Sequence, residues 1–178
     1  MLTRSRCQLL GGLLAGLALL FISAPHLNRV AAAKMPAQIP VRINEADLKN
    51  LNPAAITITM PSQIKWTPNP ATPGLLTSYL YGAGDKPGLY VVLVKWLPHS
   101  MTHPHFHPND RYVTVLSGTW WVGTGTKYDP DHTVPLPAGS YSVHHGMQVH
   151  YDGAKDEGCV LEIVGMGPAS PKDVPETK

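Results

Sequence analysis

Cysteine is almost missing from this 178-residue chain, with only Cys7 and Cys159 present. A disulfide framework is therefore excluded, and stability must come from a packed core, a bound metal or oligomerisation. Cys159 lies in the strand-like run Cys-Val-Leu-Glu-Ile-Val and reads as a small buried hydrophobe. Charge is also scarce: Asp, Glu, Lys and Arg make up 15% of residues. No helical pattern of three turns, internal repeat or low-complexity tract occurs. The pair Gly123 and Gly125 has neither a helix start nor a Lys-Ser/Thr after it, which excludes a phosphate loop. Ser117 and Ser142 lack the sharp strand-to-helix context of a nucleophilic serine.

The apolar run Leu9–Ile22 spans 14 residues, short of the roughly 20 a bilayer span needs. Arg4 and Arg6 precede it, and Ala31-Ala32-Ala33 follows. Residues 1–33 thus read as a secretory signal peptide, with cleavage before Lys34 or after Ala24; an uncleaved N-terminal anchor is the alternative. The expected location is periplasmic or secreted. Removing the leader takes Arg4, Arg6 and Arg29 and no acidic residue, so 14 basic residues become 11 against 12 acidic. The pI of about 8.5 therefore belongs largely to the leader. Nothing in the charge points to nucleic acid, or to a membrane once the leader is gone.

Residues 34–74 form an expected irregular N-terminal arm. Pro36, Pro40, Pro53, Pro61, Pro68 and Pro70 rule out long helices there. Glu45–Leu51 suits a helical turn or two, and Ile56–Met60 a short strand. From Leu75 the texture changes. Leu75–Tyr81, Leu89–Leu97, Arg111–Leu116, Thr119–Gly123, Ser140–His144, Val149–Asp152 and Cys159–Val164 are rich in Val, Leu, Tyr, Trp and Thr and read as strands. Turn signals separate them, among them Ser117-Gly118, Pro137-Ala138-Gly139 and Asp152-Gly153. This pattern predicts one all-β domain, a barrel or sandwich, over residues 75–167. Residues 168–178 are expected to be a flexible tail.

Histidine is what the chain has in abundance. Eight fall between His99 and His150, and six of these form two tight groups, His103-Pro104-His105-Phe106-His107 and His144-His145-Gly146-Met147-Gln148-Val149-His150. An extended strand projects residues i and i+2 from one face, so His105 and His107 aim two imidazoles at one point. Imidazole is the commonest protein ligand of transition metals. The competing reading is a hydrogen-bonded polar cluster. His99, His103 and His132 read as loop residues. Trp120 and Trp121 alternate along a strand, so one faces inward.

The spacing His105-x-His107, then Arg111, then six residues to Gly118, with Gly139 followed by His145-Gly146-Met147 and His150, resembles the two signature motifs of the cupin superfamily. It resembles small bacterial cupins of the anti-sigma-factor type, over roughly Leu89–Gly167. The resemblance implies a single-domain jelly-roll β-barrel holding one divalent transition metal (Fe, Mn, Ni, Cu or Zn) on His105, His107 and His150. Arg111 stands where the family has a glutamate ligand, and Arg cannot ligate a metal. In the second motif His145 replaces the family's proline and Met147 its second glycine. Three arrangements remain open: Asp110 as fourth ligand, a three-histidine site with open positions, or no metal and an anion on Arg111. His144 and His145 are neighbours and cannot both face inward. Arg111 and His145 are the candidate catalytic residues, Arg111 as a bidentate anion clamp.

Two functions follow from the resemblance. One is a metal-dependent enzyme (dioxygenase, lyase or isomerase) acting on a small organic acid. The other is a non-catalytic periplasmic module that binds or senses a small molecule. Open sheet edges also allow a homodimer.

Overall fold

The computed structural model of the chain describes residues 45–175 and 177; the expected leader and the start of the expected arm lie outside the described residues. The chain divides into a unit of residues 1–50, in which Glu45–Asn50 form a 3-10 helix, and a unit of residues 51–178 that holds every described strand.

The strands are β1 (Thr67–Pro68), β2 (Leu75–Tyr81), β3 (Gly88–Trp96), β4 (Ser100–Met101), β5 (His105–Phe106), β6 (Arg111–Ser117), β7 (Thr119–Thr124), β8 (Val134–Pro137), β9 (Tyr141–His144), β10 (His150–Ala154), β11 (Cys159–Gly167) and β12 (Lys172–Asp173). They form two antiparallel sheets, ordered β1-β2-β3-β11-β6-β9 and β12-β5-β10-β7-β8, with β4 also paired to β10. This is the expected jelly-roll barrel.

Alternation on β3, β11 and β6 builds the inner wall. Register places Val92, Ile163 and Val113 in one row and Val94, Leu161 and Val115 in the next. All six are buried, so each row removes about three branched side chains from water, worth roughly 1.5–3 kcal/mol apiece. The same parity carries one polar side chain inward. Arg111 shares a row with Gly165 and Tyr90 on one side and His144 on the other. A Cβ on Gly165 would lie 2.6 Å from the Tyr90 hydroxyl, so only glycine leaves room for that tyrosine beside Arg111. The turn after β6 is made by Gly118 at φ +70, a left-handed conformation that favours glycine.

Several expectations change. Ile56–Met60 forms no strand; its residues are almost all exposed and so bury no apolar face. Asp152-Gly153 is not a turn but the centre of β10. Gly153 is there because β4 crosses closely: a Cβ would sit 2.1 Å from the Ser100 carbonyl oxygen. The first sheet begins inside the expected arm, since β1 pairs with β2. Residues 168–178, expected as a flexible tail, contain β12 paired to β5, and Ala169 is buried in the core. Trp120 is the inward tryptophan, and Lys155 Nζ sits 4.1 Å over the Trp121 ring. Cys159 is free and buried, and burial pushes its thiol up to about 12.

Candidate metal centre

His105 and His107 lie on β5 and just after it, and His150 opens β10 directly across from His105. All three are buried, and one ring nitrogen from each lies within 4.8 Å of the others. The backbone decides which nitrogen faces the centre. His105 Nδ1 is 2.8 Å from the His103 carbonyl oxygen, His107 Nδ1 is 2.6 Å from that of Ala169, and His150 Nδ1 is 3.0 Å from that of Gln148. A carbonyl only accepts, so each Nδ1 carries its proton and each Nε2 keeps its lone pair. Three lone pairs converging in one buried place, each oriented by a backbone acceptor, is the arrangement of a three-histidine metal site.

Electrostatics keep the imidazoles of His107 and His150 neutral, as metal ligation requires. Burial, and then the Arg111 guanidinium, lowers His107 to about 3. Burial likewise lowers His150 to about 4, against the pull of Asp152. The donor set, neutral imidazoles with no thiolate, fits a divalent transition ion.

Arg111 reaches the centre although it cannot ligate. Its Nη2 donates to His150 Nε2 at 3.0 Å and to His144 Nδ1 at 3.3 Å. The histidine pointing inward is therefore His144, which stacks on Trp120 with ring centroids 5.1 Å apart and is lowered to about 3 by burial. His145, the expected partner of Arg111, is exposed and its Nδ1 lies 3.8 Å from Asp110 Oδ2. The reason is register: His144 pairs with inward-facing Arg111, so the next residue faces out. Asp110 is not a fourth ligand. It is exposed, and its Oδ1 accepts the Gly146 N–H at 2.7 Å, latching the loop before β6 to the loop after β9.

The carboxylate near the centre is Asp152, whose role sequence reading missed. It is buried, its Oδ2 is 3.9 Å from His150 Nε2, and His144, His150 and Asp152 form a second group of donor atoms within 4.8 Å. Burial by itself raises Asp152, but the imidazoles of His150, His144 and His105 and the Arg111 guanidinium hold it below its ordinary value. Its signal was its place two residues after His150 on a strand, which puts both on one face. Met147, where the resemblance puts a glycine, is left-handed at φ +63, and its N–H donates to the His107 carbonyl at 2.7 Å.

An open cleft of about 1150 Å³, lined by polar residues such as Asn69, Thr77 and Ser100 as well as by Tyr79 and Val94, reaches His105, His107, Arg111 and Asp152.

Comparison with known proteins agrees with this architecture. The chain resembles the polyketide cyclase RemF from Streptomyces resistomycificus, with a TM-score of 0.56 and 16% identity over 69% of this chain and 88% of that one. It also resembles an RmlC-like cupin protein from Ralstonia eutropha JMP134, with a TM-score of 0.53 and 16% identity over 73% and 78%. A cupin-2 domain from Rhodospirillum rubrum gives a TM-score of 0.51 and 12% identity over 68% and 81%. At these identities the likeness is one of fold. No curated protein sequence matches the chain. The profile of the ChrR Cupin-like domain matches residues 55–169, a stretch that includes β1 to β11 and all of the buried histidines, and the chain belongs to that family of cupins.

Proposed function

We propose that this cupin is an exported, metal-dependent enzyme acting on an organic acid. The observation that carries the proposal is the convergence of three Nε2 lone pairs, each fixed by a carbonyl on Nδ1. His105, His107 and His150 would hold the ion. A divalent ion held there would supply Lewis acidity. Three neutral ligands leave its charge uncancelled, which favours an anionic substrate. Arg111, beside His150, orients that anion, and Asp152 balances the guanidinium. His144 accepts from Arg111 at Nδ1, so its proton sits on Nε2, and it replaces His145 as the proton-handling histidine. Export rests on the basic residues Arg4 and Arg6 ahead of Leu9–Ile22.

One observation favours a second reading, a binding or sensing module without turnover. Arg111 Nη2 already donates to the His150 lone pair that a metal needs. In that reading the guanidinium is the resident cation and the ligand is an anion.

Elemental analysis of untagged protein, wild type against His105→Ala, separates the two. Near-stoichiometric Fe, Mn, Ni, Cu or Zn in the wild type alone is the expected result. Folded but metal-free protein in both cases sinks the enzyme reading and leaves the binding module.

A further inference from the structure

The outer face of the sheet ordered β1-β2-β3-β11-β6-β9 carries a contiguous apolar surface. Side chains alternate along each strand, so those between the buried positions of β3, β11 and β6 point away from the barrel. Register sets Tyr81, Val91, Val164, Tyr112 and Val143 in one row across β2, β3, β11, β6 and β9. Leu89 and Met166 pair on one side of that row. Ser78, Leu93, Glu162, Thr114 and Tyr141 form the row on its other side. Glu162 is the one charged side chain in these three rows. Five large side chains in them are exposed, from Tyr112 at 44% to Tyr81 and Tyr141 at 63%, with Leu89 and Met166 between. At roughly 200 Å² for a side chain of this size, the five together show solvent about 500 Å². A homodimer interface buries about 800 Å² per partner, about 65% of it apolar. The exposed area thus matches the apolar surface that one copy brings to a dimer.

We propose that this face binds a second copy of the chain, sheet against sheet, and that the open sheet edges do not make the contact. A two-fold axis in the plane of contact, running across the strands between Val164 and Met166, sets Met166 of each copy against Val164 of the other and Leu89 against Val91. Glu162 then falls at the rim, away from its counterpart. The contact is self-complementary, as an isologous dimer requires. The three rows hold no Lys or Arg, so an acidic protein or an anionic lipid surface finds no counter-charge there. Tyr112 and Val143 are chain neighbours of Arg111 and His144, so the second copy braces the strands that aim those two side chains inward. The face lies on the far side of the sheet from the histidines, and the proposal stands with or without metal.

Analytical ultracentrifugation of the purified protein from about 1 to 100 µM tests this, a span that covers both tight and weak dimers. The expected result is a dimer over the upper part of the range. Tyr112→Lys and Met166→Lys, both at exposed positions, are each expected to weaken it at least tenfold with the circular dichroism spectrum unchanged. Val134→Lys, at an exposed apolar position on the edge strand β8 of the other sheet, is expected to leave it intact. Monomer throughout the range overturns the proposal. A dimer that both face variants leave unchanged also overturns it, and a dimer lost in Val134→Lys alone moves the contact to the edge. Should one face variant fail to fold, the other decides, since the two lie on separate strands.

Discussion

The two sheets of the barrel divide the labour unequally. β3 and β11 are nine residues each and β6 is seven, and their inward residues lie in apolar rows. β5 is two residues and β10 is five, yet these two strands carry His105, His150 and Asp152. The long sheet holds its shape by burying its own side chains. The short one also buries β10 along its whole length against β7, and hydrogen bonds from outside its strands add to this: His107 Nδ1 reaches Ala169, and Met147 N–H reaches the His107 carbonyl. The resemblance to cupins puts Arg111 at a ligand position, and the barrel holds with an arginine there. Arg111 itself sits on the long sheet and points across the divide.

Four measurements break or sharpen that contrast, and the largest effect is expected from acid. In metal-free protein the folded pKa values of His107 and His144 are about 3 and that of His150 about 4, against 6.5 ordinarily. Below pH 6.5 the unfolded chain takes up protons that the folded one refuses. Stability is therefore full above 6.5 and is lost as pH falls towards 3, by up to about 1.4 kcal/mol per pH unit for each imidazole. The urea midpoint of chelator-treated protein should drop steadily from pH 7 to 4. A flat profile would mean the histidine cluster is not buried as described.

Val113→Asp places a charge in the fully buried row of the long sheet and should cost about 3–5 kcal/mol, abolishing cooperative unfolding or expression of folded protein. His105→Ala should leave a folded barrel. If both variants unfold, the division between wall and ligand shell is wrong.

Arg111→Met removes the donor from His150 Nε2 and a like charge beside the ion. Metal affinity, measured by competition with a chromophoric chelator, should rise at least tenfold, or about 1.4 kcal/mol. Unchanged affinity would show that Arg111 does not compete for that nitrogen.

The smallest effect is expected at Met147. A left-handed non-glycine residue costs roughly 1–2 kcal/mol, partly offset by glycine's larger unfolded-state entropy. Met147→Gly should raise stability by about 0.5–1 kcal/mol in urea unfolding; a loss of stability would show that the Met147 side chain contributes packing that outweighs the strain.

Legibility followed the same line as the sheets. Seven strands from Leu75 onward were readable because alternation with period two and β-branched residues reports a half-buried strand wherever it pairs. β5, β4 and β12 were not, because two residues carry no period and pair only when another strand arrives. β8, Val-Pro-Leu-Pro, was not among the expected strands, and its prolines are accommodated because it is an edge strand. His105, His107 and His150 were readable from spacing. His144 was hidden because choosing between it and His145 requires the register of β9 on β6. Asp152 was misread because Asp-Gly signals a turn locally, and only the approach of β4 makes Gly153 a close contact instead.

By itself, then, the sequence determined a β barrel with an inward histidine set and an arginine in place of a carboxylate, because strand periodicity and motif spacing are local properties of the chain. Only the tertiary structure decided that His144 rather than His145 faces inward, that Asp152 rather than Asp110 supplies the nearby carboxylate, and that an open cleft reaches the histidine centre. Each of these depends on which strands lie opposite one another, and that pairing is set by contacts between residues far apart along the chain.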